Sequence, residues 1–431
     1  MATAAATTKP DAAARLANPP EAGAAWINAA RAAASERVLA MGLPTRRDEY
    51  WRFTPPVGLV EAAPLSSDPL TVERPIFSDK DRIHLVFVDG VFDADASDAL
   101  DLDGVTIERL QTARNSDIHW AADVYGVLEQ RGQSHVDRPI AALNTAMAAD
   151  GILIHVTKTP EKPIHIAYKQ TSPTSDAILH HCVKLDAGTE LTLLETGTAG
   201  ARANTCTEVE VAAGAAFHHV RPQGRAADRH VANHIFARVA EAATFKSFTL
   251  SFDGRLTRNE TVVEIVGDDA VVHFAGAFLG DGTNGKVLHD DTVFVTHDAV
   301  NCESRQVFKK VLRNGATGAF QGKILVKEDA QKTDGYQISQ SLLLDDDAQL
   351  LAKPEREIYA DDVACCHGST SGAIDEDALF YLRARGVTKP EAQDMLTLAF
   401  LAEAIEEIDS DELAESILER LAEWLSRHGS G

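Results

Sequence analysis

The sequence is poor in cysteine, has no long apolar run and is short of positive charge. Of its 431 residues only five are cysteines, Cys182, Cys206, Cys302, Cys365 and Cys366. The number is odd and no CxxC pair occurs, which argues against a disulfide framework and for a reducing compartment, so the chain is read as cytoplasmic. No stretch of about 18 apolar residues is present, so nothing reads as a membrane span. Against 65 Asp plus Glu stand only 41 Lys plus Arg, a net charge of −24. Phosphate backbones and anionic lipid heads repel such a chain, and no basic patch offsets the repulsion, so neither nucleic acid nor a membrane surface is expected as a partner. Proteins and cations are.

Motifs for nucleotide and hydrolytic chemistry are missing as well. Gly322-Lys323 is followed by Ile324 and Gly285-Lys286 by Val287, so there is no GxxxxGK[ST] loop and no nucleotide is expected on this chain. Residues 280–285 read GDGTNG and match the GxGxxG fingerprint by letter. The strand pattern KVLHDDTVFV follows them instead of the helix a pyrophosphate site needs, and the segment is read as a loop. No GxSxG elbow occurs, and His230 and His234 lack the glutamate of HExxH. The pairs His180-His181 and His218-His219 would point to opposite faces of a strand and so cannot share an ion; they are read as partly exposed.

What is present divides the chain in three. Residues 1–150 read as a helical and mixed region. Its first 25 residues lack the apolar stretch of a secretory signal and are read as a frayed tail, with an organellar transit peptide as the alternative. An Ala-rich helix follows over 24–41, stopped by Gly42 and Pro44, then a hairpin around Asp89-Gly90 in IHLVFVDGVF and a second helix over 138–150. Residues 151–369 are a succession of short β-branched runs such as ILIHV, ELTLLETG and TEVEVA. A Gly or Ala precedes a strand residue by three positions at Gly188, Gly214, Ala242, Ala270, Ala299, Ala330 and Ala348, at intervals of 26, 28, 28, 29, 31 and 18. A drifting period of this size predicts stacked rungs, hence a parallel β-helix, with a β-sandwich array as the alternative. Residues 370–431 turn helical, with a Thr388–Glu391 capping signal and an apolar stripe of Leu413, Ile417, Leu421 and Leu425 that either packs internally or docks another chain.

The segment that carries chemistry is EIYADDVACCHGSTSG at 357–372, where Cys365, Cys366 and His367 are consecutive. In an extended strand Cys365 and His367 share a face and Cys366 points away. Thiolate with imidazole suits iron, zinc or a nascent iron–sulfur cluster, and two ligands leave the rest to come from elsewhere. A buried thiol beside a hydrogen-bonded histidine is the plainer reading of the same residues.

The surrounding blocks SRQVFKKVL, GAFQGKILV, AQKTDGYQ, SLLL, EIYADDV, CCHGSTSG, LFYLRARGV and AFLAE occur in order over 304–403. With GLPTRRDEYWRFT at 42–54, ALNTAMAADGILIHV from 142 and EKPIHIAY up to 168, they closely resemble the SufD-type subunits of the SUF iron–sulfur cluster assembly machinery. That resemblance implies a mainly β fold, a right-handed parallel β-helix flanked by N-terminal and C-terminal helical regions. It further implies a non-catalytic scaffold that pairs with a SufB-like paralogue through the β-helix and docks a SufC-like ATPase through its C-terminal helices, with a homodimer possible in isolation. In the family pattern C-x-H-G-[AS]-T the His is considered a ligand of iron or a nascent cluster at the SufB interface. This carries over to His367, and the preceding Cys to Cys365. The paralogue reads E-H-E-A-T-T there; Cys366 departs from the usual small polar residue or Gly and leaves open which thiol meets the metal. Two other classes compete: an interaction protein in which His367 binds no metal, and a β-helix carbohydrate enzyme, which would be secreted and carry clustered acids on one face.

Overall fold

The computed structural model describes residues 10–69, 74–134, 136–224 and 226–428. Residues 1–9 of the expected tail lie outside the described range. From Asp11 onward the expectation of fraying fails: Asp11 caps helix α1 (Ala12–Arg15) by accepting from Ala13 N at 2.9 Å, and Arg15 donates to Asp176 at 2.9 Å.

Strands alternate between two ten-stranded sheets, odd-numbered in one and even-numbered in the other along most of the chain. The first holds β3 (Asp101–Leu102), β4 (Val105–Arg109), β5 (Ile152–Val156), β7 (Asp176–Leu185), β9 (Arg202–Val211), β11 (His230–Val239), β13 (Leu256–Ile265), β15 (Leu288–His297), β17 (Thr317–Val326) and β19 (Gln349–Ile358). The second holds β2 (Val91–Asp93), β1 (Ile83–Val88), β6 (Ile164–Lys169), β8 (Glu190–Gly197), β10 (Ala216–Pro222), β12 (Thr244–Phe252), β14 (Val271–Asp281), β16 (Glu303–Arg313), β18 (Thr333–Leu343) and β20 (Val363–Gly372). From β5 and β6 onward every pairing is parallel, so the chain coils as a β-solenoid of about eight turns. The expected hairpin is present as β1 and β2 around Asp89 and Gly90, both at positive φ. Its first strand extends the second sheet by pairing in parallel with β6.

The repeat has a physical origin in one turn position. Gly188, Gly214, Ala242, Asp269, Asn301 and Lys332 all have positive φ and precede successive strands of the second sheet. Each N–H donates to the carbonyl just before the next residue of the column: Gly188 to Ala213, Gly214 to Glu241, Ala242 to Asp268, Asp269 to Val300 and Asn301 to Gln331. The column is Gly at first and then Ala, Asp, Asn and Lys, so counting only small residues catches its first three members and then near neighbours; the column itself lengthens, with intervals of 26, 28, 27, 32 and 31 residues. Ala348 belongs elsewhere: it leads into β19 in the opposite sheet, and its interval of 18 is a half turn.

The bore is apolar near the N-terminal turns, with Ile166, Leu179, Val183, Leu193, Phe217 and Phe245 from both sheets in one cluster. A polar ladder also crosses it. Tyr168 donates to Glu195 at 2.7 Å, Arg221 donates to Asn233 at 2.7 Å, Asn233 to Asn259 at 2.8 Å and Asn259 to Asp291 at 3.1 Å, where Lys310 from the facing sheet pairs with the same carboxylate. Buried groups need such partners, and here they come from neighbouring rungs.

Helices cover the outer face of each sheet. Over the first lie α2 (Ala25–Met41), α3 (Leu110–Ala113), α4 (Val127–Gly132) and α5 (Pro139–Met147), with Ile27, Leu110 and Tyr125 packed on Leu153, Cys182, Cys206 and Phe236. α2 ends at Gly42, whose φ of 74° a side chain would resist. Against the second lie α7 (Lys389–Ile405) and α8 (Asp411–His428), reached through α6 (Glu376–Ala384). Leu413, Ile417, Leu421 and Leu425 of α8 are all buried in the cluster that holds Phe248, Phe252, Leu279 and Val311, so this stripe packs internally. Of residues 280–285, Gly280 and Asp281 end β14 and Gly282–Asn284 form a single 3₁₀ turn; the strand β15 and not a helix follows, as the sequence context predicted, although the loop is shorter than the six residues expected.

Candidate functional site

Among the described residues β20 is the last strand of its sheet, pairing with β18 on one side and with no strand on the other; β19 ends the facing sheet in the same way. Both solenoid edges therefore finish at one end of the molecule, with unpaired backbone donors and acceptors. The strand is extended; Cys365 is half-buried toward Ile324 and Val326, while Cys366 and His367, neighbours on opposite faces of this uncovered end strand, are both exposed.

Room for the Cys365 thiol comes from Gly335, its partner in register on β18. A Cβ at that position would lie 2.9 Å from the sulfur. Burial pushes this thiol above its ordinary value, opposed by a hydrogen bond from the Gly335 backbone, so the free chain carries it protonated. Arg356 on β19 donates to the Cys365 carbonyl at 2.6 Å and ties the two end strands together. His367 stands in register with Gln337, and among the described residues no hydrogen bond engages its ring. Partial desolvation, and then Arg356, lower its pKa and favour neutral imidazole, the ligating form. Ile358 and Tyr359, also at this end, expose 38% and 64% of their surface.

A second unsatisfied surface lies on the C-terminal helices. α6 buries none of its residues, and Phe380, Tyr381 and, from α7, Met395 are exposed at 74%, 57% and 52%. The exposed apolar groups of the C-terminal helices are thus on α6 and within α7, where no periodic stripe drew attention to them.

The histidine pairs need correction. Each does straddle a strand, but only His218 is partly exposed, beside Asp409 at 3.1 Å. His219 is in the bore, 3.0 Å from Glu195, and so is His181, 3.0 Å from the Tyr168 hydroxyl, while His180 is buried because α-helices cover the face that alternation alone leaves to solvent. His230 and His234 lie on β11, not on a helix, and both are buried.

Two family models match the chain: the SUF system FeS cluster assembly, SufBD core domain, over residues 168–400, and the SufBD protein N-terminal region over residues 79–166. Among curated relatives, the iron-sulfur cluster assembly protein SufD of Escherichia coli strain K12 is 29% identical over 411 residues, covering 90% of this chain and 91% of the relative. An iron-sulfur cluster assembly SufBD family protein of Synechocystis is 25% identical over 402 residues, covering 88% and 86%.

Proposed function

Since the chain belongs to the SufBD family of the SUF iron–sulfur cluster assembly system, we propose that it is a non-catalytic scaffold that pairs with a SufB-like subunit and docks a SufC-like ATPase. The observation that carries this reading is the uncovered solenoid end, where β19 and β20 leave two sheet edges unpaired beside an exposed imidazole. A second solenoid adding its strands there would satisfy the edges by β-augmentation. It would also bring further ligands to His367 and Cys365, which by themselves do not close a coordination shell.

Iron, or a nascent cluster, is then cargo held between the two subunits. His367 supplies neutral imidazole, and Cys365 supplies a thiolate once a cation displaces its proton. Cys366 faces away from that pair and is not assigned a ligand role. Phe380, Tyr381 and Met395 are the surface we assign to the ATPase. Nucleotide hydrolysis there acts on this chain only through a difference in how the docked helices fit two arrangements of the partner. The same edges allow a homodimer when the SufB-like subunit is absent. Five unpaired thiols suit a cytosolic setting.

The test is to co-express the chain anaerobically with SufB-like and SufC-like partners, isolate the complex by native mass, and assay iron and acid-labile sulfide on the same peak. A complex holding all three proteins, with iron lost in His367→Ala, is the expected result. Iron retained by an intact His367→Ala complex would reduce the chain to a scaffold without a ligand role. Elution of the chain alone would remove the proposal at its centre.

A further inference from the structure

Under the N-terminal helices, far along the chain from β20, four metal-capable side chains share one face of the first sheet. Parallel register pairs His180 with Cys206 and Cys182 with Glu208, so β7 and β9 each contribute an i, i+2 pair to a two-by-two square. The ligand atoms of His180, Cys182 and Glu208 all lie within 4.8 Å of one another, and all three residues are buried. His180 Nε2 is 3.8 Å from the near oxygen of Glu208, beyond hydrogen-bond length.

Three polar atoms in this square have no hydrogen-bond partner: both ring nitrogens of His180 and one oxygen of Glu208. Neither ring nitrogen of His180 has a hydrogen-bond partner, although its side chain has no exposed surface. One oxygen of Glu208 accepts from Glu129 N at 2.9 Å, while the other, facing His180, has none. Tyr125 lies over the imidazole with ring centroids 4.3 Å apart, but its hydroxyl is committed to the carbonyl of Thr145 at 2.7 Å. An imidazole has one donor and one acceptor to satisfy, and leaving each unmet in a dry interior costs about 1–3 kcal/mol. Apolar neighbours Leu110, Leu128 and Phe236 close the surroundings and offer no substitute.

We propose that His180, Cys182, Cys206 and Glu208 bind a resident zinc ion that fastens the N-terminal helical cover to the solenoid. One imidazole, two thiolates and one carboxylate are a borderline-soft donor set, and four protein ligands without a solvent-facing position describe a structural site rather than a catalytic one. In a tetrahedral site with bonds of about 2.0–2.3 Å the ligand atoms stand about 3.3–3.8 Å apart, so shifts of the order of an ångström bring His180, Cys182 and Glu208 onto one ion, while Cys206, outside that group of three and placed beside it by its register with His180, must turn further to close the square. Glu208 would then bridge the ion and the backbone N–H of Glu129, which belongs to the covering helix α4. Burial raises both thiols well above their ordinary values and Glu208 to about 8, so loading one zinc ion releases about three protons and changes no oxidation state. The inference does not rest on the cluster-assembly reading, since none of these residues is near β20.

The experiment uses the full chain, unfolded in guanidinium and refolded with zinc, with cobalt(II) or with a chelator, then desalted for metal analysis and thermal melting. Wild-type protein is expected to keep one zinc per chain, to melt higher than the chelated sample, and with cobalt to develop a thiolate-to-metal absorption band. Cys182→Ser and Glu208→Gln should weaken zinc retention by about tenfold or more, whereas His367→Ala should not. If these variants fail to fold, the cobalt spectrum of the wild type still decides. No retained zinc and no thiolate band would overturn the proposal, and so would retention unchanged in both variants or lost in His367→Ala.

Discussion

The carboxylate of Glu195 lies 3.7 Å from the guanidinium of Arg221 inside the solenoid bore, with both side chains buried. Burial opposes ionisation of Glu195, but Arg221 and then His219 outweigh it and hold the carboxyl below the ordinary carboxylate range. Glu195→Ala leaves Arg221 charged and short of a partner, so it should cost about 3–5 kcal/mol in urea unfolding. The double variant with Arg221→Met should cost less than the sum of the single ones, because the stranded charge is gone. Strict additivity would mean the pair is not coupled.

The turn column makes a prediction of opposite sign. Ala242 and Lys332 hold φ of 51° and 59°, where an L side chain is disfavoured by about 1–2 kcal/mol. Ala242→Gly and Lys332→Gly should therefore each raise stability, by no more than about 1 kcal/mol once the extra freedom of the unfolded glycine is counted. Gly58→Ala should do the reverse and by more. Its φ is 88° and the added carbon would meet the His230 ring at 2.0 Å. Melting temperatures of the three variants check the ordering.

Acid should weaken the fold well before carboxylates titrate. Burial lowers His165 to about 3, and His230 and His297 to about 4. A histidine lowered by folding contributes stability above its unfolded value near 6.5 and loses it as pH falls from there toward its folded value. At pH 5 each should cost about 2 kcal/mol. The urea midpoint should drop between pH 7 and pH 5, and His297→Asn should flatten that slope; a midpoint level across this range contradicts the argument.

The C-terminal helices should separate folding from docking. Ile417 of α8 is fully buried, and Ile417→Ala should cost about 2–5 kcal/mol. Phe380→Ala on exposed α6 should leave stability within about 0.5 kcal/mol while weakening capture of a SufC-like ATPase in a pull-down. Equal capture by wild type and Phe380→Ala would move the docking surface elsewhere.

Much of this architecture is legible residue by residue. Gly42 ends α2, Thr388 and Glu391 form the capping box of α7, and Asp89-Gly90 turns the hairpin, because each signal acts within one turn of chain. The alternation that separates Cys366 from Cys365 is equally local, and in β20 Cys365 is half-buried while Cys366 is exposed. The polar ladder from Tyr168 to Lys310 was not legible, since its members are scattered over more than a hundred residues and meet only when rungs stack.

What the sequence by itself determined is therefore which residues alternate, where helices start and stop, and that rungs repeat, all properties of backbone preference at short range. What covers each sheet face was decided only by the tertiary structure. His180 and Cys182 point away from the bore, as alternation requires, yet they are buried because helices formed from residues 110–147 fold back over that face. Cys206 and Glu208 reach the same square from 26 residues further on, a distance set by the length of one solenoid turn and not by any local pattern. Leu413, Ile417, Leu421 and Leu425 are the same case in reverse: periodicity gives an apolar stripe, and only the second sheet, by occupying it, decides that it is not a docking face.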